Sequence, residues 1–425
     1  MTLYRSRYRY ALAAGLLLFG LTLPLSKSAG NVLLFLIYMI TIAGVLLDGD
    51  IKKVILNNIR QPLTLAFSLY FLVACFGVLF TENYADGYHI ASKFISMPAI
   101  YLMVSVLIQS LYKEEEKGRN IEYLLLSFLI GLMLLNLIGV ITFLGIIGNK
   151  KYVTPMVPLN VHHIWFSNIN ALGLYTAVSL LLFSQWGKVT RSRIFLYCCL
   201  VLGLFCILLS LSRTAWFGIA LTSAIMAFLV IRNKKFYFIT ITATAAAGVA
   251  AYLFVPLVHE RIDLIVRDIT FFLAGKTETS LGTRFLMWKA ASMMFLSNPL
   301  VGVGTGGYTA TLEAYVASGK LPAFLLDYNQ PHSMYLFTLA TNGLAGLAAL
   351  LFIFYRILVL SLQGMKDTDE DRLLSFLAAA TAVHFLIAGF TDSFFNIQIL
   401  RYAFVFLIGV CLRSSVISTD SARHH

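Results

Sequence analysis

Long apolar stretches recur along the whole chain, and they constrain the fold more than any other feature. Most are about 17–25 residues long, the length a helix needs to cross the hydrocarbon core of a bilayer. Twelve such stretches lie near 10–25, 30–47, 63–80, 91–111, 121–145, 169–186, 194–210, 214–231, 236–255, 333–360, 373–390 and 394–412. Hydrophobic residues make up 59% of the sequence and charged residues 12%, too few charges for a soluble domain of this size. The sequence therefore predicts an all-α polytopic membrane protein with about twelve transmembrane helices.

The charges between these stretches predict the orientation of the chain. With the N-terminus in the cytoplasm, 20 of the 32 lysines and arginines lie on the cytoplasmic side, as the positive-inside rule requires. We therefore expect both termini to be cytoplasmic. The first stretch follows a basic segment, as in a signal peptide, but no clean cleavage site follows it, so we interpret it as a retained helix. The net charge of +12 is then a consequence of topology, and no nucleic-acid partner is expected.

One connection on the outer side, residues 256–332, is far longer than the others. Loops of more than about 15 residues are usually functional or disordered. Here apolar residues recur at helical spacing near 258–275 and 282–299, and 306–320 is typical of a third short helix. We therefore expect nine membrane helices in 1–255, a helical cap in 256–332, and three membrane helices with a cytoplasmic tail in 333–425.

The stretch LSLSRTAWFG (209–218) places a charge, Arg213, between two apolar runs. A single helix over 194–231 would be about 57 Å long at 1.5 Å per residue, far more than a bilayer core, so the chain must turn near 210–213. Ser212 is then a candidate N-cap, with Arg213 in the first turn of the next helix. Free backbone N–H groups beside an arginine suit an anion. Taken alone, Arg213 is also compatible with an interfacial anchor whose side chain reaches the headgroups.

Two further motifs lie on the same outer side. In LGTRFLMWKAA (281–291), Arg284 and Trp288 share one face of a helix, and the guanidinium fork suits phosphate oxygens. The alternative is a surface helix with an arginine on its wet side. In YNQPHSMYLF (328–337), His332 lies at the lipid–water boundary, where its imidazole could act as a general base. The alternative there is a hydrogen-bonded interfacial histidine.

Gly302, Gly304 and Gly307 match the spacing G-x-G-x-x-G, but no βαβ unit surrounds them, which argues against a dinucleotide site. A glycine-rich turn that brings the backbone close to the bundle, or to a phosphate, remains open.

His162 and His163 are adjacent, so on a helix or a strand we expect their side chains to diverge. A zinc site built from them and His332 lacks suitable ligand spacing. We therefore expect no metal and no cofactor.

Taken together, LSLSRTAW, GTRFLMWKAA…NPLVGVGTGGY and QPHSMYLFTLATNGLAG resemble the O-antigen ligase and O-antigen polymerase superfamily of bacterial inner-membrane glycosyltransferases. The resemblance covers about 200–345, and the layout of twelve spans with a long outer loop agrees with it. The family often has Asn after the histidine, where this chain has Ser333.

The resemblance implies an enzyme of the inner membrane whose active site faces the periplasm. Its donor would be an O-antigen glycan on undecaprenyl pyrophosphate, and its acceptor a sugar hydroxyl of the lipid A core. Transfer would be independent of metal ions and would invert the anomeric configuration. By motif, Arg213 and Arg284 would hold the donor pyrophosphate and His332 would deprotonate or orient the acceptor hydroxyl. Weaker candidates for glycan or loop contacts are Tyr308, Trp288 and His163.

Two alternatives remain open at this point. A polymerase of the same superfamily would extend the lipid-linked glycan itself. A transporter of lipid-linked glycans belongs to another class and predicts polar or charged groups near the bilayer midplane. The predicted spans are nearly uncharged, which argues against a transporter.

Overall fold

The computed structural model describes residues 2–47, 49–111, 114–147, 161–366 and 368–412. Within these ranges the chain is helical and forms no strand. Some of the charges used to predict the orientation lie outside the described residues. They belong to Lys113, to most of the connection between 145 and 168, and to the tail from 413 onward. The prediction of an all-α polytopic membrane protein is confirmed.

The described chain forms α-helices joined by turns and short 3-10 segments. In chain order they are α1 Thr2–Thr22, α2 Lys27–Leu47, α3 Gly49–Ile59, α4 Pro62–Gly77, α5 Tyr84–Phe94, α6 Ser96–Leu111, α7 Glu114–Phe143, α8 His163–Phe183, α9 Thr190–Leu209, α10 Arg213–Val230, α11 Lys234–Phe254, α12 Pro256–Leu273, α13 Ser280–Ser297, α14 Gly307–Ala317, α15 Met334–Gly364, α16 Asp369–Ala388 and α17 Gln398–Cys411.

Ten segments of the described chain are long and apolar enough to cross a membrane. One of them, Tyr84–Gln109, is built from α5 and α6 in succession. Two of the twelve predicted spans correspond instead to shorter apolar helices, Tyr10–Thr22 and Gln398–Cys411. The sequence pattern located all twelve apolar segments, but the count of full-length spans is ten because a helix of 10–17 residues falls short of a bilayer core.

The ends of several helices meet at one end of the bundle, because successive spans alternate in direction. At this end α8, α10 and α15 begin, α9, α11 and α16 finish, and α12, α13 and α14 follow one another between α11 and α15. We call it the site end. The helix α12 packs on α11 and α13, and α13 packs on α15, so the three short helices cover the site end.

The helix α15 is interrupted at Gly343, whose backbone is non-helical with φ 60° and ψ −155°. The turn before α14 fits against this break: the N–H of Leu344 donates to the Pro299 carbonyl (2.8 Å) and that of Val303 to the Ala340 carbonyl (2.8 Å). Gly302 in the same turn also has positive φ and lies against the backbone near Ala340. The glycine motif therefore brings the backbone close to the bundle, and the span predicted as one continuous helix at 333–360 is two helical pieces.

Buried polar groups lie inside the spans, contrary to the expectation that these are nearly uncharged. Arg401 of α17 is 2% exposed, and its guanidinium donates to Ser96 Oγ (3.0 Å) and to the Phe395 carbonyl. His384 of α16 is fully buried between Asn168 and Tyr175 of α8. The sequence pattern understated these groups because a lone polar residue barely changes the average hydropathy of a span. Both are hydrogen-bonded to neighbouring helices, as buried polar groups within membranes generally are.

Candidate functional site

Arg213 is the first residue of α10, at the site end, as the length argument predicts. The chain reverses direction over Ser210–Ser212, where Leu211 adopts a positive φ of 55°, a conformation that L-residues rarely take. Ser212 occupies the N-cap position, but its hydroxyl makes no capping hydrogen bond and is buried without a partner. The predicted cap is therefore wrong in its chemistry, and the first turn of α10 keeps unsatisfied polar groups.

A cavity of about 260 Å³ opens beside this turn. Three arginines from three helices line it: Arg213 of α10, Arg261 of α12 and Arg284 of α13. The other lining residues are His163, Ile164, Leu211, Ser212, Thr214, Leu264, Asp268 and Ser280. The structure thus brings the predicted residues Arg213, Arg284 and His163 together and adds Arg261 to them.

The hydrogen bonding in this cavity is incomplete. The Arg213 guanidinium donates from Nη2 to Ser280 Oγ (3.2 Å) and lies 3.9 Å from the Asp268 carboxylate. Its Nη1 is buried without a partner, and so is Nε of Arg261. Buried donors without acceptors are costly, so an unoccupied set of them marks a place where an acceptor-rich ligand gains affinity.

The electrostatics of the cavity point the same way. Burial lowers the pKa of Arg284, the charge of Asp392 raises it and the charge of Arg213 lowers it. Burial is the larger cause that lowers the pKa of Arg261, and the charge of Arg213 lowers it further. The charge of Arg213 therefore reaches both other guanidiniums, and a bound anion would relieve this repulsion.

His332 precedes α15 at the same end of the bundle and has a positive φ of 49°. Its Nδ1 lies 3.2 Å from Oδ1 of Asp392, a carboxylate that is 2% exposed and also accepts from the Ser393 N–H (2.8 Å). With the carboxylate ionised, Nδ1 donates this hydrogen bond, and Nε2 is the nitrogen left to accept a proton. This is the tautomer that a general base needs.

The strained backbone at His332 is held by its neighbours. The indole Nε1 of Trp288 donates to the Pro331 carbonyl (3.0 Å), and the N–H of Met334 donates to the Gly389 carbonyl (2.8 Å). Ser333 accepts from the Leu336 N–H and so caps α15. Backbone outliers of this kind persist only where the surroundings impose them, and they are common at functional sites.

The cavity and the His332–Asp392 pair adjoin each other. Thr391, next to Asp392, donates from its hydroxyl to Thr214 Oγ1 (3.0 Å), and Thr214 lines the cavity. The charge of Asp392 reaches Arg284. Burial lowers the pKa of His162, Asp392 raises it, and His332 and Arg284 lower it. The two groups therefore form one electrostatic unit.

Two of the weaker candidates lie away from the cavity. Tyr308 is 2% exposed in a small core beneath α14, where its ring packs against Phe337. Its hydroxyl is buried without a partner, and burial raises its pKa. Trp288 supports the loop before His332 through its indole N–H. In the structure the Tyr308 ring fills a core and Trp288 positions a loop.

His162 and His163 do not diverge as expected, since their ring centroids are 4.4 Å apart. The reason is that His162 is the extended N-cap of α8 while His163 begins the helix, so neither the helix nor the strand geometry assumed from sequence applies. Among the described residues no group of three His, Cys, Asp or Glu side chains is arranged to hold a metal ion.

Sequence reasoning missed Arg261, Asp268 and Asp392. The first two lie seven residues apart on α12, two helical turns, so they share a face, and helical periodicity could have paired them. Asp392 follows α16 and meets a histidine 60 residues away in the chain. No pattern in the sequence around either residue predicts such a contact.

Comparisons with known proteins bear on what this arrangement does. The family model described as O-antigen ligase matches residues 198–351. Over these residues the chain is similar to the O-antigen ligase and polymerase superfamily. An uncharacterized protein of Haemophilus influenzae is 30% identical to this chain over 197 residues, which are 45% of this chain and 49% of that protein. The chain thus spans about half the length of the curated relative it matches.

The residues matched by the family model include most of the site. Arg213, Arg261, Arg284 and His332 lie within the matched residues 198–351, and Asp392 lies beyond them. The matched region is thus similar to O-antigen ligases, and the ten long apolar helices among the described residues are those of a multi-pass membrane protein.

Proposed function

We propose that this protein is an O-antigen ligase, which transfers a glycan from undecaprenyl pyrophosphate to a sugar hydroxyl of the lipid A core. The observation that carries the proposal is the adjacency of two unlike groups: a cavity with three arginines, and a histidine bonded to a buried carboxylate. A diphosphate needs the first and a hydroxyl nucleophile needs the second.

The donor diphosphate occupies the arginine cavity. Arg213 and Arg284 bond its oxygens through their guanidinium forks, and Arg261 adds a third positive charge. As the bond between the anomeric carbon and the phosphate oxygen breaks, negative charge develops on the leaving diphosphate. Preorganised guanidiniums offset this charge, which is the electrostatic contribution that commonly dominates an enzyme's rate enhancement.

The acceptor hydroxyl lies at His332. Its oxygen attacks the anomeric carbon from the face opposite the diphosphate and forms the new glycosidic bond, and its proton passes to Nε2 of His332. The resulting imidazolium is stabilised by Asp392 through Nδ1–H. A single displacement of this kind inverts the anomeric configuration, and no cofactor or metal ion is required for any of these steps.

The location proposed for this reaction is the periplasmic face of the bacterial inner membrane. The helices α8, α10 and α15 begin at the site end, and the distribution of lysines and arginines along the sequence favours the outer side for that end. Both termini are then cytoplasmic, and the donor and acceptor lipids reach the cavity from the outer leaflet. Reporter fusions after α9, expected outside, and after α10, expected inside, test this orientation.

The deciding experiment is reconstitution of the purified protein with donor lipid and lipid A-core in the presence of a chelator. The expected result is a glycan-bearing lipopolysaccharide formed without any energy source. Lipopolysaccharide from a deletion strain separates the alternatives: an intact core lacking every O-chain supports a ligase, whereas core with a single repeat unit identifies a polymerase and contradicts the proposal. Absence of product without an ion gradient, with transport of labelled donor, identifies a transporter.

A further inference from the structure

Asp268 is an acidic side chain in a cavity that is also lined by three arginines, by His163 and by uncharged residues. It is the buried residue of α12, and its side chain is 9% exposed. A buried carboxylate in a site for an anion opposes binding, so its presence requires an explanation. We propose that Asp268 sets the charge of the cavity to match a diphosphate diester and to expel the diphosphate monoester left after transfer. This inference rests on the proposed function.

Asp268 lies beside the guanidinium of Arg213. Its Oδ2 lies 3.9 Å from Nη2 of Arg213, the same nitrogen that donates to Ser280 Oγ. Asp268 and Ser280 thus hold one edge of the Arg213 guanidinium, while Nη1 remains buried without a partner. The carboxylate keeps the arginine in the cavity when no ligand is bound, and it stays beside the ligand once one arrives.

The charges that line the cavity match those of a diphosphate diester. Arg213, Arg261 and Arg284 carry three positive charges and Asp268 one negative charge, so these four groups sum to +2. A diphosphate esterified at both ends carries two negative charges, which this sum neutralises. When the glycan leaves, the terminal phosphate becomes a monoester whose second ionisation has a pKa of about 6, so near neutral pH it gains most of a third negative charge. That additional charge has no counterpart among these four lining groups and is repelled by Asp268, and Asp392, whose charge reaches Arg284, adds to the repulsion.

The consequence is a site that discriminates between substrate and product through charge. Tight binding of both species would lower KM without helping turnover, because the product would remain bound. Asp268 therefore acts as a specificity-determining and positioning residue: it makes no bond to the reacting atoms. Removing its charge leaves the cavity at +3, which suits the monoester better than the diester.

The test measures binding of two soluble probes to the full-length protein in detergent. The monoester probe is farnesyl pyrophosphate, and the diester probe is farnesyl pyrophosphate with one sugar on its terminal phosphate. We expect Asp268→Asn to bind the monoester about tenfold more tightly than the wild type and the diester about fivefold more tightly, because the gain scales with ligand charge. Asp268→Glu, which keeps the charge, should restore the wild-type preference.

The matched control is Asp263→Asn on the same helix. Asp263 is half-exposed, pairs with His259 (3.0 Å) and accepts from the Tyr252 hydroxyl, and it does not line the cavity. The affinities of the Asp263→Asn protein for both probes should equal those of the wild type. In the transfer assay, Asp268→Asn should lower kcat and strengthen inhibition by the monoester while the KM for donor falls or stays constant.

Three outcomes are distinguishable. If wild-type protein binds neither probe, the arginine cavity is not a diphosphate site, and the proposed function and this inference both fail. If it binds both probes and Asp268→Asn has wild-type affinities, only the inference is overturned. If Asp268→Asn binds both probes more weakly, Asp268 merely supports Arg213, and the charge-matching inference is again overturned while the proposed function stands.

Discussion

The arginine cavity and the His332–Asp392 pair adjoin each other but differ in how their polar groups are satisfied. In the cavity, Arg213 Nη1, Arg261 Nε and Ser212 Oγ are buried without partners. In the pair, His332 is already bonded to its carboxylate, and that carboxylate also accepts from a backbone N–H. The cavity thus contains buried polar atoms without a partner in the protein, whereas His332 and Asp392 are bonded to each other and to the backbone.

This difference separates two tasks. Unsatisfied buried donors cost free energy in the empty protein, which a ligand with matching acceptors recovers on binding. A pre-bonded histidine gains nothing from a bound diphosphate, but its orientation and tautomer are fixed in advance. The cavity should therefore control donor affinity and the pair should control the rate of the chemical step. Each of the following substitutions tests whether the two tasks are in fact separable.

The largest effects are expected from Arg284→Ala and His332→Ala compared side by side. Loss of a positioned base costs about 10²–10⁴ in rate, so His332→Ala should nearly abolish transfer while the affinity for a diphosphate probe stays within about twofold. Arg284→Ala should abolish transfer too, but with probe affinity reduced about 100-fold, as expected for the loss of a charged bidentate contact. Transfer assays paired with probe titrations measure both quantities. Equal loss of affinity in the two variants would show that the tasks are not separate.

A smaller effect is expected from Asp392→Asn, which keeps the shape of the side chain and removes its charge. The imidazolium formed during transfer then lacks its counter-charge, and an amide can also favour the wrong tautomer. We expect the rate of transfer to fall about 100-fold or more, with donor affinity within about threefold. Thr391→Val is the matched control: it removes the neighbouring hydroxyl that bonds Thr214 and should leave at least half the activity. A wild-type rate in Asp392→Asn would remove the carboxylate from the mechanism.

The sequence predicted the fold well because the governing signal is local. An apolar run either is or is not long enough for a bilayer, and this alone located the helices and the start of α10 at Arg213. The break in α15 was not predictable in the same way. Gly343 lies within an ordinary apolar run, and its non-helical backbone depends on the turn at 299–303, which pairs with the freed groups near it.

The candidate site was predictable in part for the same reason. Arg213, Arg284 and His332 each stand next to a helix start or on a helix face, where a polar residue is conspicuous in an apolar context. Asp392 is conspicuous as well, but its partner is 60 residues away, and only packing of α15 against α16 brings them together. Tyr308 shows the converse: an aromatic residue in a suggestive motif is buried in a core.

The smallest effect expected is that of Trp288→Phe, and it decides between two roles for this residue. If Trp288 positions His332 through the bond from Nε1 to the Pro331 carbonyl, phenylalanine loses that bond and keeps the ring contact with Phe285. One hydrogen bond contributes about 1 kcal/mol, so kcat should fall about fivefold with KM unchanged. Trp288→Leu should then show a loss of the same size or slightly larger.

A glycan-stacking role gives the opposite pattern, because a phenylalanine ring still stacks: Trp288→Phe would be nearly normal and Trp288→Leu would raise the KM for glycan. Trp186→Phe, in a connection at the other end of the bundle, is the control and should behave as wild type in both assays. Near-normal kcat in Trp288→Phe with a raised KM in Trp288→Leu would therefore move Trp288 from the support of the histidine to the binding of the sugar.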